Sequence, residues 1–451
     1  MKTSEGVRQT DGSSMRKWRR DCMEAMALAE EDSRVCVFWE RPHNRGMNDL
    51  PAAPTHLITT REQLGGLCEH LRQAGTFAFD TEFIGENTYQ PVLCLIQVAT
   101  KERVELIDPL ALKRVELRPF WELLADPKIE KICHAGDQDV EIVWLESGLA
   151  THNMFDTQIG AGMLGISYPT ALWRAVEYFT GVPLEKAHTY SAWNRRPLHK
   201  EQFAYAIDDV RYLPAIHETM KRKLVTLGHD GWMREACDLM CVEAAKPVDA
   251  RNLFLKIRGA ASLKGPQLAV LREVTALREQ IAYEHDVPAR TFLKDDVLFD
   301  IASRMPGSVG ELTRIRDMPA EDAESYGPVI LEAVQAGMAT PEMERPNLYV
   351  PGEDSAEVKR LAETLWVSAQ VICLGQQVNP ALVTTQNEIA AVARLVEKGK
   401  PFDQQPIMQG WQRACLGEKL GAFIRGELRI DLGMRELTML AEFEKSLSVG
   451  A

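Results

Sequence analysis

Thr76-Phe77-Ala78-Phe79-Asp80-Thr81-Glu82-Phe83 is the stretch on which the rest of the chain turns. Its aromatic and β-branched residues predict a strand. Residues two apart on a strand face the same side, so Asp80 and Glu82 leave an apolar ribbon in one direction. Carboxylates held side by side repel each other, and a divalent cation relieves the repulsion. Hard oxygen ligands suit magnesium or manganese. Taken alone, the stretch reads more readily as an exposed acidic strand end.

Upstream, His56-Leu57-Ile58 predicts a short strand and Thr60-Arg61-Glu62-Gln63-Leu64 the capped start of a helix. Downstream, Val92 to Ala99 and Val104 to Pro109 predict two more strands, the second ended by its proline. Lys131-Ile132-Cys133 is a short apolar strand, and Val140 to Leu145 continues as helix. Strands mixed with helices indicate an α/β or α+β domain over residues 55–230. Beyond Ala236 the strand signals fade. Leu268, Leu271, Val274 and Leu277 recur at helical spacing, and Val297, Ile301 and Ile315 continue the style. Asn347 to Asp354, with Pro346, Pro351 and Gly352 around it, predicts a linker before a second helical segment over 355–451. Residues 1–54 are polar and irregular, with a basic cluster at Arg16, Lys17, Arg19 and Arg20. They read as a disordered or loosely ordered extension.

Two other stretches carry chemistry. His134-Ala135-Gly136-Asp137-Gln138-Asp139 joins an apolar strand to a helix, where a carboxylate is either a ligand or a cap. No second histidine has ligand spacing to His134, so a structural histidine is the better reading. Phe203-Ala204-Tyr205-Ala206-Ile207-Asp208-Asp209-Val210 reads as helix. There Tyr205 and Asp209, four apart, share one face. A phenol and a carboxylate so placed suit a metal and its attacking water, or form an ordinary surface pair.

In this order, D-x-E, H-A-G-x-x-D and Y-x-x-x-D resemble the three exonuclease motifs of the DEDD superfamily, tyrosine subgroup. The closer resemblance is to the ribonuclease D family. Leu93-Cys94-Leu95-Ile96-Gln97, Phe155-Asp156-Thr157-Gln158, Leu184-Glu185-Lys186, Trp193 and Arg196-Pro197-Leu198 carry it across roughly 55–225. The resemblance implies a ribonuclease-H-like mixed sheet flanked by helices. It aligns Asp80, Glu82, Asp139 and Asp209 with the metal-binding acids, and Tyr205 with the residue that positions the attacking water. It implies two divalent cations, Mg2+ or Mn2+, and 3′→5′ hydrolysis of RNA, notably tRNA precursors, to nucleoside 5′-monophosphates. Asp137 and Asp208 read as neighbours, not ligands, and Gln97 and Gln158 as structural. Residues 249–338 resemble an HRDC domain through Leu263-Lys264-Gly265-Pro266-Gln267-Leu268, Val287-Pro288 and Lys294-Asp295-Asp296-Val297-Leu298. Residues 355–451 resemble a second, more divergent HRDC-like domain, best marked by Gly410-Trp411-Gln412-Arg413. The expected fold is thus an α/β exonuclease domain followed by two all-α modules.

Composition narrows the partners. The 451 residues are 45% hydrophobic and 26% charged, a globular balance, and the net charge of −13 excludes a uniformly basic coat. Local basic text remains. Residues 186–200 hold Lys186, Arg195, Arg196 and Lys200 and no acid, interleaved with His188, Tyr190, Trp193 and His199. Cations for phosphates and rings for bases suit a single strand. Lys186, Trp193 and Arg196 are therefore candidate substrate contacts, as is Lys264 in a stretch (251–278) with six basic residues against one acid. The bland reading is a solvated loop anchored by Trp193. Nine cysteines without a C-x-x-C pair predict buried thiols in a reducing cytoplasm. No apolar run suits a transmembrane helix or secretory signal. No G-x-x-x-x-G-K-[ST] motif supports a nucleotide cofactor. The expectation is a monomeric cytoplasmic exoribonuclease acting on RNA 3′ ends. A repair exonuclease acting on DNA and an inactive RNA-binding scaffold are the alternatives.

Overall fold

A computed structural model of the chain describes residues 50–184, 192–348 and 354–430. Its five-stranded mixed sheet consists of β1 (Thr76–Ile84), β2 (Val92–Ala99), β3 (Val104–Ile107), β4 (Glu130–Cys133) and β5 (Met154–Asp156), in the order β3-β2-β1-β4-β5. β1 pairs antiparallel with β2 and parallel with β4. β2–β3 is antiparallel and β4–β5 parallel. β1 lies in the middle because both of its faces are apolar: Phe77, Ala78 and Phe79 are fully buried.

Helices cover both faces. α1 (Arg61–Ala74) begins at the expected cap. Thr60 Oγ1 accepts from Gln63 N at 3.3 Å, and Gln63 Oε1 accepts from Thr60 N at 3.2 Å. α2 (Arg118–Ala125) buries Phe120 and Trp121, with the Phe120 ring 6.2 Å from that of Phe77. α3 (Asp137–Ser147), α4 (Thr157–Met163) and α5 (Leu172–Thr180) follow. α6 (Lys200–Arg211) crosses the opposite face. Its Ala206, Ile207 and Val210 share a core with Ala78, Leu95, Ala99 and Leu106. That face also carries Asp80 and Glu82, which lie at positions two and four beyond Ala78 on the strand. α7 (Leu213–Leu227) and α8 (Asp230–Ala244) complete the layer.

Three details differ from expectation. His56-Leu57-Ile58 forms no strand; only Ile58 bridges to Ile107. Residues 50–54, assigned above to the extension, include a bridge from Ala52 to Arg103. β5 carries no strand signal in the sequence, because three residues show no period.

The first helical module contains α9 (Pro266–Glu284), α10 (Asp295–Arg304), α11 (Gly327–Ala339) and shorter turns. Leu268, Leu271 and Val274 lie in its core with Val297, Ile301 and Ile315, as their spacing predicts. It meets the sheet at the β1–β2 loop. There Tyr89 N donates to Asp286 Oδ1 (3.1 Å) and Tyr89 Oη to Glu279 Oε2 (3.3 Å). The second helical region includes α12 (Ala356–Gly375) and α13 (Gln386–Glu397). Asn379 holds it to the end of α4 and the turn beyond, donating to the Gly162 (2.8 Å) and Ile166 (2.9 Å) carbonyls. Trp411 N donates to Glu235 of α8 at 3.1 Å. Among the described residues no helix is long and apolar enough to cross a membrane, and seven cysteines are free and buried.

Candidate active site

β4 stops pairing with β1 at Ala78, so the edge of β1 beyond it is left to the chain that follows β4. That chain makes a tight turn at His134-Ala135-Gly136 and enters α3. Gly136 is required there, because a Cβ would lie 2.5 Å from Cys133 Sγ. The turn delivers Asp139, 6% exposed, to the open edge. Asp139 Oδ1 accepts from Thr81 N at 2.9 Å and from the Thr81 hydroxyl. Thr81 was not singled out from sequence; its signal was a hydroxyl between two acids.

From the other side, α6 brings Asp209 over the sheet. Asp80, Glu82 and Asp209 each offer one carboxylate oxygen, and these oxygens lie within 4.8 Å of one another. The Tyr205 hydroxyl, one helical turn before Asp209, donates to the Asp209 carboxylate. The other oxygen, Oδ2, is buried without a hydrogen-bond partner. Thus three of the predicted acids converge and Tyr205 touches the third. Asp139 stands beside them, close enough to act on the ionisation of Asp80 and Glu82.

Electrostatics follow from crowding. Burial raises the carboxyls of all four acids. At Asp80 and Glu82 the neighbouring carboxylates push further, taking Glu82 up to about 8. Thr81 offsets part of the effect at Asp139, and the Tyr205 hydroxyl does so at Asp209. Burial and then the surrounding acids also raise the Tyr205 phenol above its ordinary value. It therefore stays protonated at neutral pH, a donor rather than a base. An all-oxygen, like-charged cluster with an orphaned buried oxygen fits a hard divalent cation.

The neighbouring residues are otherwise engaged. Asp137 is exposed. Asp208 turns to Arg211, 3.4 Å away. His134 Nδ1 lies 2.8 Å from Thr157 Oγ1 and Nε2 2.9 Å from the Thr170 carbonyl, so both ring nitrogens are spent on structure. Gln158 donates to the same carbonyl. Gln97, opposite Asp80 in the β1–β2 register, is fully buried, and no hydrogen bond accounts for its amide.

Arg196 and Trp193, expected as substrate contacts, are engaged within the chain. Arg196 donates to Asp108 Oδ2 (2.6 Å) and Oδ1 (2.7 Å) and to the carbonyls of Cys94, Trp193 and Arg195. Those bonds use all five guanidinium N–H groups, leaving none for a phosphate. Trp193 is 3% exposed, packed in the core shared by α6 and the sheet, its ring 6.0 Å from that of Tyr205. Lys186 lies outside the described residues. Lys264 is exposed in the turn before α9.

Comparison with known proteins agrees with this geometry. A 3′-5′ exonuclease family model matches residues 55–225 and an HRDC domain model residues 267–334. The ribonuclease D of Gluconacetobacter diazotrophicus is 34% identical over 82% of this chain and 93% of its own length. The chain belongs to the ribonuclease D family. It is accordingly a 3′→5′ exoribonuclease, a phosphodiester hydrolase, of a superfamily that uses divalent metal. The ribonuclease D of Cronobacter turicensis is 31% identical over 82% of this chain and all of its own length. The crystal structure of Escherichia coli RNase D, an exoribonuclease involved in structured RNA processing, is similar with a TM-score of 0.72. It is 28% identical and covers 83% of this chain and 100% of that one.

Within the HRDC module part of the local excess of basic residues is compensated inside the chain, while Lys256, Arg258 and Lys264 stay exposed. Arg251 and Arg272 both pair with Glu273. Arg278 is buried between Glu279 (2.9 Å) and Asp295 (2.7 Å). The basic count overstated the charge facing solvent.

Proposed function

We propose that Asp80, Glu82, Asp139 and Asp209 hold two divalent cations, Mg2+ or Mn2+, and that Tyr205 orients the attacking water. The convergence of the Asp80, Glu82 and Asp209 oxygens within 4.8 Å carries this reading. When bound, the cations supply activation of a water nucleophile and neutralisation of charge on the departing 3′ oxygen. The chain's own residues do the positioning. The carboxylates on β1 fix one side of the site to the central strand of the sheet. Asp209 approaches from α6, and Asp139 is held by Thr81. The Tyr205 hydroxyl, kept protonated with its one O–H on Asp209, accepts a hydrogen bond from the incoming water through its oxygen and so fixes its orientation. Water adds to the terminal phosphodiester and the bond to the 3′ oxygen breaks. The products are a nucleoside 5′-monophosphate and an RNA one residue shorter with a free 3′ hydroxyl.

The substrate we infer is RNA with a single-stranded 3′ end, tRNA precursors in particular. Lys264 and Lys186 are the basic residues we propose to meet it. The test uses 5′-labelled RNA hairpins with 3′ overhangs and their DNA counterparts, with Mg2+ or Mn2+. A ladder shrinking from the RNA 3′ end, absent with EDTA and in Asp209→Ala, is the expected result. Faster loss of DNA, or RNA degradation by Asp209→Ala, would overturn the assignment.

A further inference from the structure

Asp156 ends β5 with a carboxylate that is 2% exposed. Among the described residues no lysine or arginine is a hydrogen-bond partner to it; backbone N–H groups surround it instead. Oδ1 accepts from Gln158 N (2.7 Å), Ile159 N (3.2 Å) and Ala135 N (3.2 Å). Oδ2 accepts from Gly136 N (2.8 Å) and faces Cys133 Sγ at 3.6 Å. One side chain thus ties the first turn of α4 to the turn that launches α3.

That second turn does not hold itself. Ala135 has φ of +57°, a left-handed conformation that a non-glycine residue rarely adopts. The neighbouring Thr157 reinforces it, its Oγ1 lying 2.9 Å from the Cys133 carbonyl and 2.8 Å from His134 Nδ1. Three residues beyond Gly136 stands Asp139, reaching Thr81 on β1. Loss of the Asp156 anchor would let Ala135 relax to negative φ and swing the start of α3, carrying Asp139 away from Asp80 and Glu82.

We propose that Asp156 is a positioning residue for the metal site, acting through the 134–136 turn on Asp139; this rests on the reading of Asp139 as a ligand. Asp156→Asn keeps the volume but cannot accept on both sides. Its amide nitrogen must face either Gly136 N–H or the N–H groups at Oδ1. Mn2+ alone is titrated into the full chain by calorimetry, beside RNA degradation across Mn2+ concentrations and circular dichroism for folding. Asp156→Asn is expected to weaken Mn2+ binding about tenfold, the size typical of an indirect metal partner. KM for RNA should stay within about twofold, and excess Mn2+ should recover part of kcat while the metal-free circular dichroism stays that of wild type, which separates weaker metal binding from loss of fold. Thr157→Val, a gentler cut in the same clamp, should shift Mn2+ affinity in the same direction by a smaller factor, with Thr157→Ser close to wild type. It supplies the readout if Asp156→Asn fails to fold. Asp139→Asn serves as the reference. Weaker binding in Asp139→Asn with wild-type binding in the folded Asp156 and Thr157 variants overturns the proposal alone. Wild-type binding in Asp139→Asn overturns the ligand reading, and the proposal with it.

Discussion

In the HRDC module Glu279 and Asp295 share the buried guanidinium of Arg278. In the nuclease domain Asp80, Glu82 and Asp209 crowd together, and the charges that raise their carboxyls are other acids. Both regions withdraw carboxylates from water. One supplies its counter-charge from within the chain and the other does not. A compensated cluster holds a fold together, whereas an uncompensated one is tolerated where an outside cation completes it.

The largest expected effect breaks the comparison from the nuclease side. Asp209→Ala should lower kcat on single-stranded RNA by more than about 100-fold, beyond the usual loss for an indirect metal partner. The folded protein should remain, as circular dichroism would show. A residual rate within tenfold of wild type would place the chemistry elsewhere. From the HRDC side, Arg278→Met strands Glu279, while Asp295 keeps Arg290 at 2.8 Å, and should cost about 3 kcal/mol in urea unfolding of that module. The kcat of the folded protein should stay within about threefold, too small a change to be a contribution to transition-state stabilisation.

The nuclease cluster should also make stability depend on pH. Glu82 is raised from the ordinary glutamate range to about 8, and Asp80 is raised as well. The folded state therefore holds protons that the unfolded chain has released. The stability these groups contribute is full below about pH 4.3 and is lost as pH rises through about 8. Metal-free protein should lose thermal stability across that window. Asp80→Asn should flatten the loss, and Mg2+ should counter it most strongly at high pH. A metal-free Tm that climbs from pH 5 to pH 8 would contradict the crowding argument. The smallest effect belongs to Lys264. Replacement by alanine should raise KM for RNA a few-fold and reduce the salt slope of binding by about 0.7, as for one single-strand phosphate contact. An unchanged slope would remove Lys264 from the substrate path.

The same contrast explains what could be read from the sequence. The β1 strand was legible because Phe77-Ala78-Phe79 is apolar on both faces. Asp80 with Glu82, and Tyr205 with Asp209, were legible because strand and helix periods place each pair on one side. What failed depends on contacts between distant segments. Arg196 reads as a phosphate ligand until Asp108, 88 positions away, takes its fork. Thr81 and Asp139, 58 apart, meet only because β4 ends early. The basic stretch ending at Arg278 loses that charge to Glu279, immediately beyond the stretch, and to Asp295. Asp156 stands in matching text, but its hold on the 134–136 turn exists only once β5 lies beside β4.

The most direct test of the central claim is a calorimetric count of Mn2+ ions bound per chain, for wild type and for Asp80→Asn. The account predicts two ions on the wild-type chain and a much weakened or missing site in Asp80→Asn. Equal stoichiometry and affinity in the two proteins would contradict it and leave the crowded carboxylates without the cations that their burial demands.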